Sequence, residues 1–144
     1  MLRLITRSLA LASLLGCSSW APPPAPVYDT CAVVEECVET ATLCEGLAVD
    51  FGGFTYSNAI CTLECEGEGA LSPDCPRAWV GRAGSCYPSS IAGGIDDTLV
   101  CFEPCDLDSD CLWTFRCLGG QDLCGDTTLC PIEDGEAICV PGPT

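Results

Sequence analysis

The sequence predicts a small disulfide-rich protein built of tandem irregular microdomains with short β-hairpins and little helix, after a signal peptide and a Pro-rich tether. Three observations carry that prediction. Cys accounts for 15 of 144 residues, the density of a disulfide scaffold in a short secreted chain. Twelve of those cysteines fall into a recurring order of spacings. The aromatic share is only 7%, and Gly and Pro together supply 26 residues. Such a chain cannot bury enough apolar surface to offset the entropy of ordering itself without crosslinks.

Residues 1–16, "MLRLITRSLALASLLG", have the anatomy of a secretory signal. Arg3 and Arg7 give a positive start and "LALASLL" a short apolar core. That core is well short of the ~20 residues that span a bilayer, and no later stretch reaches that length. The leader ends in "LLGC", with Leu14 at −3, Leu15 at −2, Gly16 at −1 and Cys17 at +1. This resembles the lipobox of bacterial lipoproteins. The resemblance implies cleavage after Gly16, a diacylglycerol thioether on Cys17 and acylation of its new amino group. Each buried methylene contributes ~0.8 kcal/mol, so one chain binds marginally and two or more anchor stably. Ser18 at +2 differs from the Asp of an inner-membrane retention signal, which makes the outer membrane the expected address. The membrane, through this lipid anchor, is thus one expected partner. The competing explanation is an ordinary signal peptide with a chance cysteine.

The anchor and its linker occupy residues 17–30. Within them "SSWAPPPAPV" carries four prolines and no charge, the composition of an extended polyproline II spacer. Trp20 is compatible with the headgroup level, although a plain solvated linker needs no such role for it.

Beyond the tether the cysteines repeat as positions a, b, c and d. Residues 31–64 hold Cys31, Cys37, Cys44 and Cys61; residues 65–104 hold Cys65, Cys75, Cys86 and Cys101. Residues 105–144 hold Cys105, Cys111, Cys117 and Cys139, with an additional pair, Cys124 and Cys130, between c and d. Both junctions are C-x-x-x-C, "CTLEC" and "CFEPC", and the approaches to d match: "SNAIC", "DTLVC" and "GEAIC". Periodicity of this kind marks tandem units, each too small to hold a core alone. Setting Cys17 aside leaves an even number to pair. Crosslinks are expected to stay within units, and contacts between units to be few. "DFGGFTYS" and "SIAGGIDDT" each place Gly-Gly among β-formers, which predicts a hairpin between c and d. In "CAVVEECVETATLC", apolar residues or Cys at 33, 37, 41 and 44 predict a short helix.

Charge and composition exclude several functions. From Cys17 onward three Arg face 21 acids, a side-chain charge of −18, and the chain has no Lys and no His. Nucleic-acid affinity comes from cations neutralising phosphates, so no nucleic-acid partner is expected. Without His or Lys the commonest general base and the Schiff-base nucleophile are missing, and no strand-turn nucleophile motif is present. No enzyme activity and no cofactor are expected. A zinc site lacks both C-x-x-C spacing and His, and exported thiols pair under oxidising conditions. The alternating acids of "DLDSD" (Asp106–Asp110) and of "ECEGEG" (Glu64, Glu66 and Glu68) read first as solvated loops that recur with the repeat. Weak calcium binding is the alternative. An EF-hand is excluded, because Cys111 stands at the turn glycine and Cys117 at the twelfth position.

Taken together, "LLGC", the tether and the tandem "C-x3-C … DC … C" units resemble cysteine-rich lipoproteins of myxobacteria and their relatives. The phrase "CDLDSDCLWTFRC" is similar to the repeating core of those proteins. The resemblance implies a cell-envelope address and an architecture. Four cysteines allow three pairings, and sequence alone does not choose among them. Analogy with small growth-factor-like modules implies the interleaved one, a with c and b with d. Unit 2, with nine and ten residues between its first three cysteines where unit 3 has five and five, departs from the pattern. The expected role is a lipid-anchored binding or structural module engaging an extracellular protein or polysaccharide. The alternative is a protease inhibitor or protective factor acting through "CPRAWVGRAGSC", Cys75 to Cys86, which carries Arg77 and Arg82.

Overall fold

The computed structural model describes residues 26–78, 81–125 and 129–143. The leader, Cys17 and most of the tether lie outside the described residues. Three antiparallel hairpins make the frame, one per cysteine unit. They are β1 (Leu43–Phe51) with β2 (Phe54–Thr62), β3 (Ser85–Pro88) with β4 (Leu99–Phe102), and β5 (Phe115–Gly119) with β6 (Ala137–Pro141). A five-residue helix, α1 (Gly120–Cys124), follows β5, and single 3-10 turns occur at Val34–Glu36, Ser89–Ala92 and Asp108–Asp110.

The register is the same in all three hairpins. Position c lies directly opposite position d: Cys44 against Cys61, Cys86 against Cys101, Cys117 against Cys139. Each d cysteine, however, gives its N–H to a third segment, the carbonyl two residues before a. Cys61 donates to Asp29 at 2.8 Å, Cys101 to Leu63 at 3.0 Å and Cys139 to Glu103 at 2.9 Å. The a cysteine answers with its own N–H to the carbonyl two residues before d, namely Ala59, Leu99 and Ala137. Each unit is therefore a small three-stranded arrangement. In units 2 and 3 the outer segment is the run-on from the preceding d strand, which explains why the junctions are so short, and in unit 1 it is the end of the tether.

Although c and d face each other, they do not bond. The cystines are Cys31–Cys44 and Cys37–Cys61, Cys65–Cys86 and Cys75–Cys101, Cys105–Cys117 and Cys111–Cys139. Every unit thus has the interleaved a–c and b–d connection, and Cys124–Cys130 closes the insert. In each unit the sulfurs of a, b and d lie within 4.8 Å of one another, so the two cystines stack on one face of the hairpin.

Strand alternation then sends the neighbours of d to the opposite face. The residues just before d are Ile60, Val100 and Ile138, and those just after are Thr62, Phe102 and Val140; all six are buried. Five of them, all but Thr62, join Leu47, Tyr87 and Phe115 in one hydrophobic cluster that draws on all three units. The expectation of few contacts between units is overturned here. Crosslinks stay within the ranges 31–64, 65–104 and 105–144, but the core does not. A short hairpin stapled on one face still has a second apolar face, and three such faces can only leave water by meeting. Polar contacts fix the arrangement. The buried Thr62 hydroxyl donates to the Cys101 carbonyl at 2.6 Å, the Tyr87 hydroxyl to Glu136 at 2.6 Å, and the Asn58 amide to the Thr114 hydroxyl at 3.3 Å.

One local expectation also changes, while the hairpins predicted between c and d form in both units 1 and 2. The stretch from Cys31 to Cys44 forms only the 3-10 turn at Val34–Glu36 before β1 begins at Leu43. Cys37 is extended (φ −82°, ψ 157°), because its sulfur must reach back to Cys61, and a continuous helix could not place it there. The Gly-Gly of β1–β2 makes the predicted tight turn, with both Gly52 (φ 57°) and Gly53 (φ 91°) left-handed, as a two-residue type I′ hairpin requires. The Gly-Gly of unit 2 does something else. Pro88 ends β3, the chain makes the Ser89–Ala92 turn, and Gly93 at φ 74° closes that turn.

The shared core predicts cooperative unfolding. Phe102→Ala, with every cystine intact, is expected to cost about 3–5 kcal/mol and to speed amide exchange in β1–β2 and β5–β6 as well as in β3–β4. Hydrogen exchange by mass spectrometry checks this. Loss of protection confined to residues 65–104 would mean three independent units.

Candidate functional site

The acidic residue before each b cysteine has a structural task. In all three units its carboxylate accepts the backbone N–H of the residue after a. Glu36 accepts from Ala32 at 2.7 Å, Asp74 from Glu66 at 3.3 Å, and Asp110 from Asp106 at 2.9 Å. Asp110 also accepts from Leu107 at 3.0 Å, and these two bonds hold its carboxyl below the usual carboxylate range. The carboxylate closes the a-to-b loop, whatever that loop's length, and fixes b for its reach to d.

This accounts for most of the "DLDSD" run. Asp108 accepts the Cys117 N–H at 2.9 Å and pairs with Arg116 at 3.3 Å, while Asp106 pairs with Arg82 at 3.2 Å. The alternating carboxylates thus serve their own loop and its neighbours rather than converging on one point. Glu64 bridges to Val100 as part of the outer segment of unit 2, and the Glu66 N–H is the one held by Asp74. The cysteine triads whose sulfurs cluster closely enough to hold a metal are all disulfide-bonded, and a cystine sulfur has no thiolate to offer.

In the described part of the Cys75-to-Cys86 loop Arg77 and Ala83 form an antiparallel bridge, and the loop's two ends are bonded elsewhere, to Cys101 and Cys65. Ala78 donates to Arg82, Gly81 to Ala78 and Gly84 to Pro76. Arg77 turns back to donate to the Gly81 carbonyl at 2.6 Å, and Arg82 faces Asp106. Both guanidinium groups are engaged with the protein itself through Nη1.

A cleft of about 720 Å³ lies elsewhere, where the end of the tether converges with segments of units 2 and 3. One wall is the end of the tether. Tyr28 takes a left-handed backbone (φ 73°), donates its N–H to the Cys61 carbonyl at 2.7 Å, and sends its buried hydroxyl to the Pro76 carbonyl at 2.9 Å. Burial, and then the nearby charge of Glu103, push the Tyr28 phenol up, so it is a neutral donor at every physiological pH. Beside it, Asp29 holds the Thr30 N–H at 2.7 Å. Arg77 and Ala78 supply the second wall. The third comes from unit 3, where the turn after Cys111 closes with Phe115 N–H on the Leu112 carbonyl at 2.8 Å and leaves Trp113 80% exposed. Glu103, only 6% exposed, lines the cleft, as does Asp110.

Of these residues the sequence singled out Arg77 and Asp110 but not Tyr28, Asp29, Glu103 or Trp113. Asp29 and Glu103 do occupy equivalent positions, two before a, where unit 2 has Leu63. That substitution of acid for Leu is the one signal that sets them apart. Comparison with protein-family models, with curated proteins and with solved structures gave no match.

The low pKa of Asp110 has a definite sign. A carboxyl with a folded-state pKa below its unfolded value adds stability that is present above the unfolded pKa of about 3.9 and is lost as pH falls through the folded value. Asp110→Asn is therefore expected to lower the melting temperature near neutral pH, with the difference from wild type shrinking in acid. Calorimetry across the acid range checks this. An offset independent of pH would show that the charge on Asp110 plays no part.

Proposed function

We propose that the chain is a lipid-anchored, disulfide-stabilised extracytoplasmic binding or structural module of the bacterial cell surface, held in the outer membrane. The observation that carries this reading is the cysteine arithmetic. Of fifteen cysteines, fourteen pair within the folded region. The remaining one is Cys17, at the end of an apolar leader in the sequence "LLGC". Seven cystines favour an oxidising compartment, and a Pro-rich tether before the fold suits a module carried away from a surface. No helix among the described residues is long and apolar enough to cross a membrane, so attachment in this reading falls to Cys17. A rigid frame with an open three-walled cleft supports binding rather than mere filling of space. The alternative inhibitory role of the Cys75-to-Cys86 loop gains less support, since Arg77 donates to the loop's own Gly81 carbonyl and Arg82 is paired with Asp106.

Metabolic labelling with an alkyne analogue of palmitate in a bacterial host is expected to mark the protein. Cys17→Ser is expected to abolish the label and leave the precursor uncleaved. Label that survives Cys17→Ser would remove the basis for the anchor.

A further inference from the structure

The cleft has a chemical bias that narrows what it can hold. Its volume, about 720 Å³, lies within the 300–1,000 Å³ of ordinary small-molecule sites. Its charged lining is lopsided: Asp29, Glu103 and Asp110 face a single cation, Arg77, whose Nη1 is tied to the Gly81 carbonyl at 2.6 Å. Each carboxylate has about four lone-pair positions, more than the one bond given to Asp29 and the two given to Asp110 use up. Asp110 stays ionised because those same backbone bonds favour its charged form.

The apolar part of the lining is equally specific. Trp113 stands 80% exposed at the rim, with Leu112 and Val27 lining the same space. A large aromatic side chain left in water beside carboxylates offers a cation two attractions at once, the negative face of its ring and the full charges nearby. The surrounding field acts in the same direction, since the chain after Cys17 carries three Arg against 21 acids and draws cations while repelling anions. A neutral sugar could stack on Trp113, but it would want a balance of donors and acceptors that this acceptor-heavy lining lacks. An acidic polysaccharide would be repelled.

We propose that this cleft binds an organic cation, a guanidinium or alkylammonium group on an apolar stem. The stem lies against Leu112 and Val27, and the charge sits between the Trp113 ring and the carboxylates of Asp29 and Glu103. The source is either a basic segment of another protein or a small free amine. This deepens the binding-module reading and rests on it, but it does not depend on the lipid.

The test uses the full-length protein in a neutral detergent, so that it stands whether or not Cys17 is acylated. Isothermal titration and NMR shift mapping would follow N-acetyl-tetra-arginine amide, its uncharged tetra-citrulline isostere, and the single-residue N-acetyl-arginine methylamide. Saturable binding of an arginine probe is expected, with shifts centred on residues 26–29 and 109–113 and none with citrulline. Trp113→Ala is expected to weaken it about 5- to 10-fold, and Asp29→Asn several-fold. Trp113 is exposed and Asn keeps the oxygen that Thr30 uses, so both variants should fold, and spectra of the free proteins check that. Preference for the tetrapeptide points to a basic protein segment as the source. Equal affinity for the single residue points to a small amine, and both results support the site. Failure of both arginine probes to saturate would overturn it. So would equal binding of citrulline, or binding weakened by salt but unchanged in both variants, which would be diffuse attraction to an acidic surface.

Discussion

The fold depends on the crossed pair of cystines under each hairpin. Their Cα–Cα distances run from 5.5 to 6.0 Å across the three units, within the ordinary range for the bond. A direct c–d bridge would only reinforce a contact the hairpin already makes. Crossing ties each strand to a different part of the a-to-b loop, so that loop, outer segment and hairpin are fixed by two bonds. Each such bond typically contributes ~2–4 kcal/mol by restricting the unfolded chain. The carboxylate before b completes the arrangement. Glu36, Asp74 and Asp110 do the same work in loops of five, nine and five residues, which is how the longer unit 2 keeps the connection of its neighbours.

The cystines also decide where the core lies. They occupy the face of the hairpin that carries c and d. The residues flanking d are thereby turned the other way, where Ile60, Val100 and Ile138 meet Phe102 and Val140. No single unit offers enough apolar surface for a core, and the shared cluster is the only place these side chains can leave water together. Crosslinking is local and packing is collective. The cleft follows from the same geometry: the outer segments of units 1 and 3 bring Asp29 and Glu103 to one place, the tether end arrives with Tyr28, and the turn after Cys111 presents Trp113.

Much of this frame was legible in the sequence. The spacing of Cys gave the units, "FGGF" gave the first turn, and the matched approaches "AIC" and "LVC" already held the β-branched residues that form the core. The helix predicted between Cys31 and Cys44 was wrong because a 3.6-residue period in a stretch bounded by cysteines is weaker than the demand that Cys37 reach Cys61. The merging of the units was not legible, since alternation names a buried face without naming what buries it. The cleft was largely invisible for the same reason. Tyr28, Glu103 and Trp113 are far apart in the chain, and only the closure of three hairpins on one core brings them together.

The connectivity of the cystines tests this account most directly. Proteolysis of the unreduced protein at acid pH, where exchange is suppressed, followed by mass spectrometry of the linked peptides, should recover Cys31–Cys44 with Cys37–Cys61, Cys65–Cys86 with Cys75–Cys101, and Cys105–Cys117 with Cys111–Cys139. A direct Cys44–Cys61, Cys86–Cys101 or Cys117–Cys139 bond would contradict the account, as would any bridge between units such as Cys61–Cys65.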